Sequence, residues 1–231
     1  MINILKKVYK KIHILQNIYI KNKFFFEKKS YAMEGEDLEI VKILKNINNG
    51  FYVDAGGFHP LDRNNTYLLY KKNWRGINID LSEFSIDLFN FIRPKDININ
   101  VAVSNSDESV TFYYQKELSQ LSTIKKNIAN QRMQGLIKEK KIKSNKLTTI
   151  LNNSKFNKRK IDFLNTDVEG ADFDALKSLD FKIYRPKLIC VEIYDESIEQ
   201  SEIYIFLKKL NYTKKWSATF SHLFTDDFYK F

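Results

Sequence analysis

The chain has 231 residues, 43% hydrophobic and 14% aromatic, enough to bury the core of one domain and too apolar for a disordered polymer. Its single cysteine, Cys190, excludes an internal disulfide framework and a cysteine-based zinc cluster. The formal charge is +10, but residues 1–29 hold eight lysines against one glutamate and residues 125–160 hold twelve Lys/Arg against one glutamate, so the rest is net acidic and a uniformly basic nucleic-acid-binding face is excluded.

No apolar run reaches the roughly 18–20 residues that span a bilayer. The lysine-dotted N-terminus lacks the unbroken apolar stretch of a signal peptide, so a cytoplasmic location is expected. Leu5, Val8, Tyr9, Ile12, Leu15 and Tyr19 fall at helical spacing with Lys6, Lys7, Lys10 and Lys11 between them, which predicts a basic amphipathic helix over 2–20. Two placements are open for its apolar side: against its own domain, the commoner fate of such a stripe, or on an anionic membrane surface or a partner. KNKFFFEKK (21–29) is the connector to the main domain, 30–231, in which GEDLEIVKIL (35–44) is a second helix.

From residue 51 strand and helix patterns alternate. FYVDA (51–55) precedes a helix over 64–72, GINID (76–80) a helix over 82–92, and ININVAV (97–103) follows Arg93-Pro94. SVTFYY (109–114) is an extra strand, and the basic stretch 125–160 reads as an insertion. IDFLNTD (161–167), a helix over 171–179, KLICVEIY (187–194), a helix over 197–210 and two strands near 211–219 and 222–229 complete the chain. The strand runs are short, β-branched and nearly unbroken, as in parallel strands buried on both faces. The class is therefore α/β, a doubly wound, mostly parallel sheet with an N-terminal helical extension.

In such a sheet ligands sit outside the carboxyl ends of the strands. Asp54 with Gly56 and Gly57, then Asp80, Ser104, Asp167 and Glu192 occupy those ends. One acid there is commonly a helix N-cap. Four on one rim repel unless a cation or a hydroxyl-rich ligand satisfies them. Asp80 stands where an acid accepts hydrogen bonds from ribose hydroxyls. The turn FYVDAGGFHP lacks the third glycine of a pyrophosphate loop, and Asp54 is unfavourable beside phosphate. A nucleoside bearing a sulfonium and an ammonium, S-adenosylmethionine, fits better, with the glycines letting backbone approach its methionine end.

The segments FYVDAGGFHP, NNTYLLYKKNWRGINID, ININVAVSN, KLTTIL, IDFLNTDVEGADFDALKSLDF and PKLICVEIY, in that order, resemble the FkbM family of class I S-adenosylmethionine-dependent methyltransferases. The resemblance runs from about Ser30 to about Tyr194. It implies a Rossmann-like seven-stranded sheet with an antiparallel last strand, and O-methylation of hydroxyls on small molecules or sugars in natural-product or surface-glycan pathways. Carried over by position, Asp54, Gly56 and Gly57 form the cofactor loop, Asp80 holds the ribose, and Asp167 and Glu169 are the acids of the second signature. Asn165 departs from the pattern, since many relatives carry lysine there. Ser104, ending the third strand, completes the expected cofactor set.

Methyl transfer to oxygen needs a hydroxyl in line with the donor methyl and a group that takes its proton. His59 and Glu169 are the candidate bases, with His222 more distant, and Asp167 is the further catalytic acid expected beside them. Asp167 and Glu192 also resemble the magnesium-binding acids of catechol-type O-methyltransferases, and hard oxygen ligands suit Mg²⁺. The basic insertion would lie over the substrate side, either as a solvated loop or to attract an anionic acceptor such as a phosphate-bearing sugar. Two other readings are weighed. A nucleic-acid methyltransferase is disfavoured by the lack of an N-P-P-Y-like tetrapeptide and of an RNA-binding module, and a non-catalytic scaffold by the intact set Asp54, Gly56 and Asp80.

Overall fold

Apolar, β-branched runs become the central strands, and the computed structural model describes residues 2–230. In chain order the elements are α1 (Ile2–Leu15), continued by a π-helical turn (Gln16–Lys21), then α2 (Glu36–Ile43), β1 (Phe51–Ala55), α3 (Tyr67–Lys71), β2 (Arg75–Asp80) and α4 (Glu83–Ile92). After these come β3 (Ile97–Asn100), β4 (Ala102–Val103), β5 (Ser109–Tyr114), α5 (Lys126–Arg132), β6 (Lys138–Asn145) and α6 (Leu147–Asn152). The last third holds β7 (Phe163–Thr166), α7 (Asp172–Lys177), β8 (Leu188–Glu192), α8 (Glu202–Lys209), β9 (Tyr212–Ser217) and β10 (Ser221–Asp226).

Seven strands form one sheet in the order β3-β2-β1-β7-β8-β10-β9. The first five are mutually parallel, and β10 runs antiparallel to both β8 and β9. This is the doubly wound sheet that the sequence pattern predicts, with the one reversed strand that the resemblance implies. The order switches direction between β1 and β7, which opens a crevice beyond their carboxyl ends. Register pairs Ala55 with Ile79 and Thr166, and Thr166 with Val191, so four strand ends lie level on one rim.

Alternation along the strands divides the sheet into two faces. Phe51, Val53, Ile77, Ile79, Leu164 and Ile189 pack with Leu147, Leu151, Leu176 and Leu207 on one side. Tyr52, Phe163, Leu188 and Leu223 meet Ile40, Leu44, Leu69 and Trp74 on the other. That second face also carries a polar row across five strands: Asn98, Asn78, Asp54, Asn165 and Cys190 are register partners in turn.

The run 97–103, expected as one strand, is divided at Val101. β3 stays in the main sheet, while β4 pairs parallel with β6 in a second sheet ordered β4-β6-β5. The basic stretch 125–160 is accordingly built into the domain. β6 pairs antiparallel with β5 from Ser109–Lys143 to Tyr114–Lys138, and α6 buries Leu147, Ile150 and Leu151 in the core. At the N-terminus, α1 rests on α4 through an ion pair of Lys10 with Asp87 at 2.5 Å and a stack of His13 on Phe84 at 4.3 Å. Among the described residues no helix is long and apolar enough to cross a membrane.

Candidate active site

At the β1/β7 switch a cavity of about 250 Å³ opens beyond the strand ends, walled by Gly56, Phe58, Asp80, Asp167, Glu169 and Glu192 among others. Its shape begins with Gly56, whose φ is +85°. A Cβ there would lie 1.7 Å from the Asp167 carbonyl oxygen, so only glycine lets the ends of β1 and β7 close on each other. The Gly56 and Gly57 amides both donate to the Ile79 carbonyl, at 2.9 and 3.2 Å, which ties the turn to β2 as well. The sequence reading gave both glycines a role in admitting ligand. In the structure the room left by their missing Cβ atoms is filled by protein, by Asp167 for Gly56 and by the Phe89 ring for Gly57. Gly57 is buried and does not line the cavity.

Asp80, ending β2, does line it. One carboxylate oxygen accepts from the Phe58 amide at 2.8 Å and the other from the Ser82 amide at 2.7 Å, which aims the group while leaving lone pairs free. Burial, helped by the charge of Asp54 and opposed by those two amides, pushes its pKa up to about 6. Ile79, Leu81, Val101 and Val103 supply an apolar wall beside it.

Asp54 is placed differently from the expectation. β1 runs on to Ala55, so Asp54 points off the face of the sheet, fully buried, and does not line the cavity. Its carboxylate accepts from Thr66 Oγ1 at 2.6 Å, Asn64 Nδ2 at 3.1 Å and Asn165 Nδ2 at 2.9 Å. Asn165, the departure from the family pattern, thereby bridges Asp54 to Asn65, from which its Oδ1 accepts at 2.9 Å. Beneath Thr66 lies a buried cation that sequence reading passed over as part of a helix break. Arg93 donates to Thr66 Oγ1 at 2.7 Å, Asn64 Oδ1 at 2.6 Å and the Pro60 carbonyl at 2.8 Å. Asp54 and Arg93 thus balance each other through Thr66 and Asn64 and hold the 57–66 loop from below.

His59 belongs to the same support and is not a base for the acceptor. It is buried, Nδ1 accepts from the Leu61 amide at 3.0 Å, and Nε2 meets Asn17 Oδ1 at 2.9 Å, the pattern of a neutral ring donating from Nε2. Burial first, then the positive charges of Arg93 and Lys28, lower its pKa to about 3. His222 is also buried and does not line the cavity. Ser104 is withdrawn too. Because the chain bends into β4, its hydroxyl bonds Ser144 and the Ser106 carbonyl in the second sheet. Val101 and Val103 reach the cavity instead.

Three carboxylates converge at the β7 and β8 ends: Asp167, Glu169 and Glu192 each offer an oxygen, all within 4.8 Å of one another. Burial, followed by the charges of Glu192, Glu169 and Asp172, holds Asp167 well above the usual carboxylate range. Glu169 is raised to about 8 by burial and by Glu192, against the Arg132 guanidinium that donates to its Oε2 at 2.7 Å. Glu192 is raised by burial, and its Oε2 has no hydrogen-bond partner among the described residues. Asp172 caps the turn from below, accepting from the Val168 and Gly170 amides at 3.2 and 3.3 Å.

Several lining residues escaped the sequence reading. Glu36, opening α2, is a buried carboxylate that does reach the cavity, with Oε2 accepting from the Glu34 amide at 2.7 Å. Asn65 lines it from the 57–66 loop, and Ser119, Gln120, Leu121, Ser122 and Ile124 cover it from the connector after β5. Arg132 stacks over the Tyr194 ring at 3.8 Å beside the carboxylates. GEDL carried a signal as an acidic helix start, whereas the serine-rich connector carried none.

A family model described as the methyltransferase FkbM domain matches residues 48–214, while no curated protein matches the chain. Among solved structures, a TehB-like S-adenosylmethionine-dependent methyltransferase from Corynebacterium glutamicum is similar with a TM-score of 0.47 at 7% identity, covering 96% of this chain and 100% of that one. The METTL16 methyltransferase domain gives 0.40 at 9% identity over 85% of this chain and 67% of that one. The family match spans most of the sequence, and the chain belongs to the FkbM methyltransferase family.

Proposed function

We propose that this FkbM methyltransferase transfers a methyl group from S-adenosylmethionine to a hydroxyl of a sugar, a glycan or a related small metabolite. The observation that carries the reading is the convergence of Asp167, Glu169 and Glu192 at one end of the cavity whose other end holds Asp80. Asp80 on β2 and Glu192 on β8 are three strand spacings apart, about 14 Å across the rim. One end suits a ribose and the other an acceptor hydroxyl.

The donor supplies an electrophilic methyl on a sulfonium, so transfer breaks a carbon–sulfur bond, forms a carbon–oxygen bond and releases the hydroxyl proton. Asp80 has lone pairs for ribose hydroxyls, and Glu36, a buried carboxylate that lines the cavity where Asp54 does not, faces the ammonium group. The apolar wall of Ile79, Leu81, Val101 and Val103 suits a flat base. Glu169, raised to about 8 and so a strong base in its ionised form, accepts the acceptor proton, while Asp167 and Glu192 orient the hydroxyl. The same three acids form a hard-oxygen set that suits Mg²⁺, and these are the residues that would hold it, as a Lewis acid on the acceptor oxygen.

The electrostatics favour a small acceptor over a polynucleotide. Arg63 is the one Lys/Arg among the described lining residues. An anionic group on the acceptor would therefore meet one guanidinium and not the lysine run, which lies on β6. Incubation with methyl-labelled S-adenosylmethionine and fractionated extracts tests the reading. Label is expected in a glycan or small-metabolite fraction as an alkali-stable ether, and label confined to RNA would overturn it.

A further inference from the structure

The N-terminal helix sits on the domain the opposite way round from a usual amphipathic helix. Its contacts with α4 are made largely by its polar side: Lys10 reaches Asp87 at 2.5 Å and Glu83 at 3.8 Å, and His13 stacks on Phe84, with Ile14 packed on the Phe84–Leu88 cluster beside them. Farther along, Asn17 and Ile18 are buried, and Asn17 bonds His59 beneath the cavity. The helix is thereby anchored at its C-terminal end and along one polar edge. Ile4, Val8, Ile12 and Leu15 share the outward face, and they are exposed, Ile4 by 66% and Ile12 by 58%. Past the helix, Phe25 and Phe26 are exposed by 79% and 70%.

The charge around this face is of one sign. Residues 1–26 contain six lysines and no acid. Lys11 and Lys7 lie along one edge of the apolar row on the helix wheel, and among the described residues only Lys10 of the four lysines of α1 is ion-paired. A row of aliphatic side chains edged by lysines, followed in the chain by exposed phenylalanines, is how a helix lies in a lipid headgroup layer. A second copy of the chain is a poor occupant, because it would bring the same lysines against these.

We propose that the outward face of α1, with Phe25 and Phe26, seats this protein on an anionic lipid bilayer surface. The apolar row enters the headgroup region, and Lys7 and Lys11 meet lipid phosphates and carboxylates at its edge. The surface is separate from the cavity, so the proposal does not depend on which acceptor is methylated. Through the Asn17–His59 hydrogen bond the bound helix remains tied to the loop under the cavity, which keeps the site close to the membrane.

Co-sedimentation of the full chain with phosphatidylcholine vesicles, with and without phosphatidylserine, tests this. The protein is expected to bind the phosphatidylserine vesicles and to be released by salt. Val8→Glu with Ile12→Glu should weaken binding by more than about tenfold, since charges are set into the headgroup layer. Lys7→Glu with Lys11→Glu should weaken it by at least about twentyfold, from roughly fivefold per lysine removed near an anionic surface. These side chains are exposed, so the melting temperature should stay put and report that the fold is intact. Failure of the wild-type chain to bind phosphatidylserine vesicles at low salt overturns the proposal, as does undiminished binding by Val8→Glu with Ile12→Glu. A dimer in sedimentation velocity that these substitutions dissociate also overturns it, by assigning the face to a second copy.

Discussion

Replacing Asp80 with asparagine separates what the carboxylate does from where it sits. The native group accepts two backbone amides, Phe58 at 2.8 Å and Ser82 at 2.7 Å, one on each oxygen. Asparagine has one acceptor oxygen, so one amide then faces an NH₂ group and goes unpaired, at about 1–3 kcal/mol. A charge-assisted bond to a ribose hydroxyl is lost as well, about 1.5–3 kcal/mol, and that second loss weakens S-adenosylmethionine by roughly 10- to 100-fold. Burial has raised the native carboxyl to about 6. The ionised form is the better acceptor, so wild-type affinity should hold above that pH and decline below it, at most about tenfold per pH unit. For folding the sign is opposite: a raised carboxyl stabilises the native state at low pH, and this contribution is lost as pH rises through about 6. Calorimetric titration with S-adenosylmethionine between pH 5 and pH 8, beside thermal melts, reads both effects. An asparagine variant that binds within about twofold of wild type, or that keeps the acid decline, would refute the assignment of Asp80 to the cofactor.

The other buried acids should part company in the same assays. Asp54→Asn disrupts the Thr66, Asn64 and Asn165 contacts and should cost about 3 kcal/mol of stability, whereas Glu36→Gln should leave the melting temperature nearly unchanged and weaken S-adenosylmethionine about tenfold. Equal stability losses in the two variants would contradict the division between support and site. Gly56→Ala must push the Asp167 carbonyl away and adopt a φ of +85°, so both stability and cofactor affinity should drop, with at least about 1–2 kcal/mol from the backbone alone. Exhaustive chelation should reduce turnover and added Mg²⁺ should restore it, while full activity after chelation would assign the three acids to proton transfer without a cation.

Much of the sheet was legible because β1, β2, β7 and β8 are apolar enough to announce strands buried on both faces. β6 was not, since KEKKIKSN offers lysines to solvent and shows no alternation of apolar residues; its pairing with SVTFYY decides it. The rim rule found Asp80, Asp167 and Glu192 but misplaced Asp54 and Ser104. It names the residues near a strand end without saying whether a side chain points past the end or off the face. Asp54 is the residue before the last of β1 and so points off the face of the sheet, and the bend at Val101 carried Ser104 into the second sheet. His59 drew attention as a histidine in a glycine turn, yet its partners Asn17 and Asn22 lie about forty residues upstream, beyond any local pattern. Periodicity likewise found α1 as a helix and left open which face docks.

The central claim divides the cavity into a cofactor end at Asp80 and a reaction end at Asp167, Glu169 and Glu192. Glu169→Gln tests it most directly when S-adenosylmethionine affinity and turnover are measured on the same preparation. Affinity within about threefold of wild type, with turnover down by about 10²-fold or more, is the predicted result. Undiminished turnover, or a loss of affinity that accounts for the whole loss of activity, would contradict it.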